Sequence, residues 1–186
     1  RSRHVYEVVG GSLSDEEAVM VYSLQAGIDG YLYGYFPPAN PGVIYKITPG
    51  GSRTSVGNLD QTSCESPLAV APTPNPDPDL WVGWNGCGVT GETEHKLFRI
   101  PQNEVAVLVK SVPGYIYGLD FDSSGNLYMT ALDESYHYWL YQVNTSTGAL
   151  TELVQIPGPT SFHGLVAGQG GNKYIGTSWN DATHNF

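Results

Sequence analysis

The chain has 186 residues, of which 40% are hydrophobic and 14% charged, and its 8 basic and 18 acidic residues give a formal net charge of −10. This composition excludes a disordered chain, and an acidic balance without basic clusters disfavours nucleic acid, because a phosphate backbone would be repelled. No apolar run approaches the roughly 18 residues of a membrane helix, which disfavours a membrane protein.

The predicted elements are short strands from the beginning of the chain. "HVYEVVGG" (4–11) reads as a strand, and "LSDEEAVMVYSL" (13–24) is the one stretch that a helix would also suit. The abundant Gly (23), Pro (13) and Tyr (13) favour an all-β protein rich in turns. The chain begins at Arg1 without Met, from which we expect a processed precursor.

One hairpin strand then recurs along the chain at spacings of 49, 47 and 46 residues, each time after a turn signal. Its four copies are "GYLYGY" (30–35), "DLWVGW" (79–84), "NLYMTA" (126–131) and "NKYIGT" (172–177). Before each copy lies one strand, and after the first three come two more, such as "WLYQVNTSTG" (139–148) and "ALTELVQI" (149–156). The repeating unit therefore has four antiparallel strands.

A four-stranded unit with a period in the forties is typical of a β-propeller blade, which buries its faces only by stacking on neighbours. We predict one propeller domain over residues 1–186, with blades at about 17–59, 64–112, 115–156 and 160–186. The last unit stops after its second strand, and residues 4–11 match the third strands. An N-terminal strand that completes the last blade would close four blades and leave no open edge. A larger ring and a subunit whose N-terminal strand docks into a neighbour are the alternatives.

The stretch "PGYIYGLDFDSSGNLYMTALD" (113–133) resembles the blades of gluconolactonase-like, NHL-repeat and virginiamycin-lyase-like propellers. In the gluconolactonase-like enzymes the resemblance implies a divalent cation held by a Glu, an Asn and an Asp around the central channel. Glu65 stands at the Glu position, but Tyr117 and Ala131 stand where the Asn and Asp would be. No metal site is therefore predicted, and calcium is the one cation that the acids of the loops would suit.

In a propeller, the loops between strands two and three and between blades lie on one face, and the hairpin turns lie on the other. The hairpin turns are short, with little beyond turn chemistry, whereas the first set is long and rich in polar and aromatic residues. Those loops are 36–42, 59–66, 85–95, 132–138, 157–163 and 178–186. We call this side the loop-rich face and expect function there.

Cys64 precedes a first strand and Cys87 follows the second strand of the same blade, so both should lie at one end of a hairpin. A disulfide closing this loop would stabilise the fold by roughly 3 kcal/mol and would indicate a secreted, extracellular protein. Two reduced thiols that only pack are the alternative. Asn144 begins an Asn-Thr-Ser sequon in a polar turn, which predicts N-glycosylation.

The candidate site residues stand at strand ends on the loop-rich face. Glu65, Tyr117 and His163 precede first strands around one axis, a combination capable of acid–base chemistry or of plugging the channel inertly. Trp84 and Trp179 end second strands, where a half-exposed indole would offer a platform for a sugar ring, and ordinary packing at the rim is the alternative. The ligand-binding candidates are thus Trp84, Tyr117, His163 and Trp179. The strand tyrosines are instead expected to fill the gaps between blades.

Three functions fit these observations. The preferred one is a secreted binding or assembly module without enzymatic activity, which recognises a glycan or a protein on the loop-rich face and needs no cofactor. The second is a lactonase- or lyase-type enzyme with a site at the mouth of the channel, formed by Glu65, Tyr117 and His163. The third is a structural subunit that assembles by donating its N-terminal strand.

Overall fold

The computed structural model describes residues 5–9, 12–16, 23–36, 42–59, 66–73, 77–86, 94–101, 105–156, 161–168 and 171–178. Within these ranges the regular structure is β, and no helix is long and apolar enough to cross a membrane. Residues 13–24, where a helix was the alternative, contribute strands at both ends.

In the described ranges, sixteen strands form five antiparallel sheets. An N-terminal hairpin pairs β1 (Val5–Val9) with β2 (Ser12–Glu16). Blade 1 contains β3 (Ser23–Ala26), β4 (Leu32–Phe36), β5 (Gly42–Ile47) and β6 (Arg53–Leu59). Blade 2 contains β7 (Leu68–Val70), β8 (Leu80–Asn85), β9 (His95–Ile100) and β10 (Val107–Val112). Blade 3 contains β11 (Ile116–Phe121), β12 (Leu127–Leu132), β13 (Tyr138–Val143) and β14 (Leu150–Ile156), and a C-terminal hairpin pairs β15 (Ser161–Ala167) with β16 (Lys173–Ser178).

The first strands of the blades lie next to one another in chain order. β3 contacts β7, β7 contacts β11, and β11 contacts β15. Each of the three four-stranded sheets has its strands in the order one, two, three, four, counted from its first strand. This arrangement of sheets around their innermost strands confirms the predicted β-propeller.

The core lies between blades, where the second strands place large side chains. Tyr33 packs with Leu80 between blades 1 and 2, and Trp81 packs with Leu127 between blades 2 and 3. Tyr128 joins Leu165 between blade 3 and the C-terminal hairpin. Burial of such aromatic side chains is a main contribution to the stability of stacked blades, so the predicted role of the strand tyrosines is confirmed at these positions.

The described pairings do not close the ring. β1 pairs with β2, and within the described ranges no strand pairs with the outer edge of β16. Completion of the last blade by the N-terminal strand stays a prediction.

The turn between β11 and β12 is organised by one buried carboxylate, that of Asp122. It accepts hydrogen bonds from the backbone N–H groups of Ser124 and Asn126, at 3.0 and 2.9 Å, and from the Tyr128 hydroxyl at 3.2 Å. Burial by itself would raise the pKa of Asp122, but the hydrogen bonds from Asn126, Ser124 and Tyr128 outweigh it and lower the pKa below its ordinary value of 3.8.

An Asp122→Asn variant is therefore expected to lose about 1–2 kcal/mol of unfolding free energy at neutral pH, because the donors keep a weaker, neutral acceptor. A carboxyl with a lowered folded-state pKa stabilises the fold above its unfolded pKa, and this contribution is lost as the pH falls through the folded pKa. Urea denaturation of both proteins should thus give curves that converge below pH 3.8. Exposed Glu134→Gln is the control, and a difference that persisted unchanged at acid pH would contradict this role.

Candidate functional site

A row of aromatic side chains crosses the loop-rich face from blade 2 to blade 3. The ring of His95 lies 5.5 Å from that of Tyr115, Tyr115 lies 4.8 Å from Tyr117, and Tyr117 lies 5.7 Å from Tyr138. All four side chains are half-buried. They stand at the starts of β9, β11 and β13, which meet at this end of the sheets. We call these four residues the aromatic row.

The row is anchored by the buried side chain of Asn85, at the end of β8. Its Nδ2 donates a 2.8 Å hydrogen bond to the carbonyl of Ile116, and its Oδ1 accepts a 2.8 Å bond from the N–H of the same residue. Asn85 therefore ties blade 2 to the first strand of blade 3. Because a backbone N–H can only donate, these two bonds fix which end of the amide carries the oxygen.

That orientation fixes the tautomer of neutral His95. Its Nδ1 lies 3.2 Å from Asn85 Oδ1, which is an acceptor, so Nδ1 carries the proton and donates it. Nε2 is left with a lone pair. Burial lowers the pKa of His95 below its ordinary value of 6.5, so the imidazole is neutral at neutral pH. The row thus contains an oriented proton acceptor.

The sequence did not predict this pair of residues. Asn85 and His95 are direct cross-strand partners at the last rung of β8 and β9. The sequence pattern that could have predicted the pair is an Asn at the end of a second strand followed by a His at the start of the third strand. The contact of Asn85 with Ile116 of the next blade has no counterpart in the sequence.

The structure describes the side chains of only some of the predicted site residues. Tyr117 lies in the aromatic row, as its place at a first-strand start predicted. His163 lies in β15, but only its backbone is described. Glu65 and Trp179 lie outside the described residues, so the grouping of Glu65, Tyr117 and His163 stays a prediction.

The expectation of a half-exposed Trp84 is wrong. Its side chain is 0% exposed and packs with Tyr35, Leu68 and Val82 in the core between blades 1 and 2. The second strand turns this position inward, and the ammonium of Lys96 lies 5.0 Å from the centre of the ring. A sugar ring has no access to such an indole, which removes the platform that the glycan hypothesis placed at Trp84.

The described side chains do not fit the divalent-cation site of the gluconolactonase-like enzymes. Tyr117, at the Asn position, is a phenol packed between two other tyrosine rings, and Ala131 is 1% exposed and offers no ligand atom. Among the residues that the structure describes, no group of three or more His, Cys, Asp or Glu side chains is arranged to hold a metal ion. We derive no step through a cation.

Asp133, one of the acids considered for calcium, is used by its own turn. Its carboxylate accepts hydrogen bonds from the N–H groups of Ser135 and His137, at 2.8 Å each, and from the Trp139 indole at 3.1 Å. The backbone bond from His137 is the largest reason why the pKa of Asp133 is lowered. Tyr136 completes the turn at a φ of 62°. This carboxylate has a structural role.

Cys64 and Cys87 also lie outside the described residues, so their disulfide and the secreted location derived from it stay predictions. Asn144 is exposed, and its Oδ1 accepts bonds from the N–H groups of Ser146 and Thr147, at 3.0 Å each. The sequon therefore lies on an exposed turn. Glycosylation at Asn144 stays a prediction.

The hairpin face is chemically richer than its short turns indicated, and the expectation of a plain surface is wrong. Lys46 Nζ lies 3.2 Å from Asp29 Oδ2 and 4.2 Å from the ring centre of Tyr31. Arg99 Nε donates a 2.9 Å hydrogen bond to Asp79 at the edge of a cavity of about 500 Å³ between blades 2 and 3. The cations come from third strands, far in sequence from the turns, so inspection of the turns alone missed them.

The comparisons with known proteins agree with this architecture. No protein-family model and no curated protein matches the sequence. The chain is similar to a solved structure of virginiamycin B lyase from Staphylococcus aureus, with a TM-score of 0.67 and 18% identity over 96% of this chain and 57% of that one. It is similar to a gluconolactonase from Xanthomonas campestris, with a TM-score of 0.63 and 18% identity over 90% of this chain and 60% of that one. It is also similar to a luciferin-regenerating enzyme, with a TM-score of 0.64 and 14% identity over 99% of this chain and 67% of that one.

These similarities define the class, which is a β-propeller with the fold shared by gluconolactonase and virginiamycin B lyase. The fold resemblance that the stretch at 113–133 predicted is confirmed. At 14–18% identity the likeness concerns the fold alone. The chain spans between 57% and 67% of the length of these three structures.

Proposed function

We propose that this chain is part of a propeller enzyme of the lactonase or lyase type, which opens a cyclic ester on the loop-rich face. The observation that carries this proposal is His95, a neutral imidazole with a fixed tautomer beside three tyrosine rings. The similar structures support it, since they are named as a lyase, a gluconolactonase and a luciferin-regenerating enzyme. The lyase structure is of a catalytically inactive variant that has alanine in place of a histidine.

In the proposed reaction, Nε2 of His95 accepts the first proton. In hydrolysis the proton comes from a water whose oxygen bonds to the ester carbonyl carbon, and the ring C–O bond breaks to give an acid and an alcohol. In elimination the proton comes from a C–H next to the carbon that carries the ester oxygen, and the bond between that carbon and the ester oxygen breaks, which gives an alkene and a carboxylate. The tyrosine rings would pack on the apolar part of the substrate, and Asn85 would keep His95 oriented.

The purified protein should be incubated with two probes, gluconolactone and the cyclic depsipeptide quinupristin, and the products analysed by mass spectrometry. Hydrolysis adds the mass of one water, whereas elimination leaves the mass unchanged. We expect His95→Gln to lower kcat/KM by roughly 10²–10⁴-fold, the usual contribution of general acid–base catalysis. Because the pKa of His95 lies below 6.5, the activity should persist below that pH and fall only at more acid values.

His137→Gln is the matched control, because His137 lies on the same face, is exposed and is held by Asp133. His163→Gln tests the candidate at the first-strand start. If His95→Gln kept full activity and His163→Gln lost it, the proton acceptor would be His163 and not His95. Failure of the folded protein to convert either probe would contradict the proposed function.

A further inference from the structure

Tyr136 is the most exposed of the large apolar side chains in the described part of the chain, at 82%. It lies in the turn between β12 and β13, on the loop-rich face. Tyr138, the last member of the aromatic row, follows two residues later, so the Cα atoms of the two tyrosines lie at most about 7 Å apart. A ligand that lies on the aromatic row is therefore within reach of the Tyr136 ring.

The turn that carries Tyr136 has a close copy in the same blade. In the turn at 122–126, the first residue donates its backbone N–H to the carbonyl of the fifth, and the fourth donates to the carbonyl of the first, at 2.9 and 3.0 Å. The same two bonds in the turn at 133–137 measure 2.9 and 3.1 Å. In both turns the carboxylate of the leading aspartate also accepts bonds from the N–H groups two and four residues later. Tyr136 therefore occupies the position that Gly125 holds in the copy.

The backbone at this position favours glycine over tyrosine. The φ angle is 82° at Gly125 and 62° at Tyr136, both in the left-handed region, where a Cβ atom crowds the following carbonyl oxygen. Gly30 and Gly51 hold the same place in two turns of blade 1, with φ angles of 84° and 82°. Of the four turns in which both backbone bonds are described, the three on the hairpin face thus have glycine at this place, and the one on the loop-rich face has tyrosine.

Local structure gives no reason for a tyrosine in this turn. The exposed ring gains little from burial, and the backbone conformation disfavours any residue with a side chain. Residues in such conformations cluster at ligand sites, where the surrounding structure holds them in place. Here the holding group is the carboxylate of Asp133, which also accepts a 3.1 Å hydrogen bond from the Trp139 indole. A side chain on a turn that is already fixed loses less conformational freedom when it binds.

We infer that Tyr136 determines specificity by binding an aromatic or flat apolar group of the substrate, an inference that rests on the function proposed above. Successive ring centres of the aromatic row are 4.8 to 5.7 Å apart, the spacing of rings packed on each other, so the substrate lies over the row and not between its rings. With the ester at Nε2 of His95, at one end of the row, a group at Tyr136 lies near the other end. The substrate is therefore a cyclic ester whose aromatic group is distant from the ester bond.

The test uses pairs of δ-lactones whose alkyl chains, of graded length, end in a phenyl ring or in a methyl group. At the chain length that spans the row, the wild-type protein should prefer the phenyl lactone by about 10-fold in kcat/KM, as expected from the packing of one aromatic pair. Tyr136→Gly should abolish this preference through a higher KM, whereas Tyr136→Phe should keep it. Because the turn suits glycine and the ring is exposed, Tyr136→Gly should not lower the melting temperature.

Gly125→Tyr is the matched control, because it places the same residue in the same turn on the hairpin face. A Cβ atom at Gly125 would meet nothing within 4 Å, so the ring fits there without a clash. This variant should melt at a lower temperature than the wild-type protein, since tyrosine is disfavoured at a φ of 82°. It should keep the wild-type preference for the phenyl lactones.

The δ-lactams with the same chains separate binding from reaction, and calorimetry should give the phenyl lactam a dissociation constant about 10-fold lower than that of the methyl lactam. If no lactone is opened but this difference exists and is lost in Tyr136→Gly, the proposed reaction is wrong and the role of Tyr136 in binding is supported. If Tyr136→Gly keeps the phenyl preference, or the wild-type protein has none at any chain length, the inference is overturned. A large fall in the melting temperature of Tyr136→Gly would also overturn it, because the ring would then support the fold.

Discussion

A Trp84→Ala variant is expected to lose about 3–5 kcal/mol of unfolding free energy, the usual cost of removing a fully buried large aromatic side chain. Trp84 is 0% exposed and contacts residues of both blade 1 and blade 2. The cavity left by alanine would lie between two stacked sheets that cannot collapse without shifting a whole blade. Guanidinium denaturation followed by circular dichroism measures the loss.

Trp84→Phe separates packing from hydrogen bonding at the same position. In the described part of the chain the buried Nε1 of Trp84 has no hydrogen-bond partner, so its removal costs no bond and relieves an unpaired donor. Phenylalanine leaves a smaller cavity than alanine does, so it should cost about 1–3 kcal/mol. A loss as large as that of Trp84→Ala would indicate that the indole N–H has a hydrogen-bond partner. If Trp84→Ala left stability unchanged, the side chain would not lie in the core.

An Asn85→Leu variant is expected to lose about 2–5 kcal/mol, because leucine fills the same space but leaves both backbone groups of Ile116 unpaired. Each buried polar group that loses its partner costs about 1–3 kcal/mol. The change also removes the acceptor of His95 Nδ1–H, so the tautomer is no longer fixed. Denaturation measures the first effect, and the imidazole nitrogen shifts in NMR measure the second.

Asn58→Leu is the control for Asn85→Leu, since Asn58 is an exposed residue on the outer strand of blade 1. It should change the stability by no more than about 0.5 kcal/mol. If Asn85→Leu behaved like this control, the bridge between blades 2 and 3 would not be important for stability. If His95 kept the same single tautomer in Asn85→Leu, another group would orient the ring.

The propeller was predictable because its repeating unit is specified by local features of the sequence, namely turn residues and strands of alternating polarity. Turn residues such as Asp29-Gly30 and Ser124-Gly125 recur before strands of alternating polarity, and Gly30 and Gly125 adopt the positive φ values of 84° and 82° that such turns need. The strand order within each blade follows from these hairpins. The number of blades in the closed ring stays a prediction, since curvature depends on how blades pack rather than on any one repeat.

The candidate site was predictable only in part. Tyr117, at the start of a first strand, lies in the aromatic row, and its role in binding or catalysis stays a prediction. Trp84 was misplaced, since one position along a strand decides whether a side chain points to solvent or to the core. His95 was missed because its orientation depends on Asn85 and through it on Ile116 in another blade.

The sequence by itself thus determined the class of fold, the four-stranded unit and the separation of the loop-rich face from the hairpin face, all of which arise from contacts within about fifty residues. The tertiary structure alone decided which side chains meet across blades. It fixed the tautomer of His95, buried Trp84 and brought the cations of third strands onto the acids of hairpin turns. These features depend on the stacking of separate sheets, which no local sequence pattern specifies.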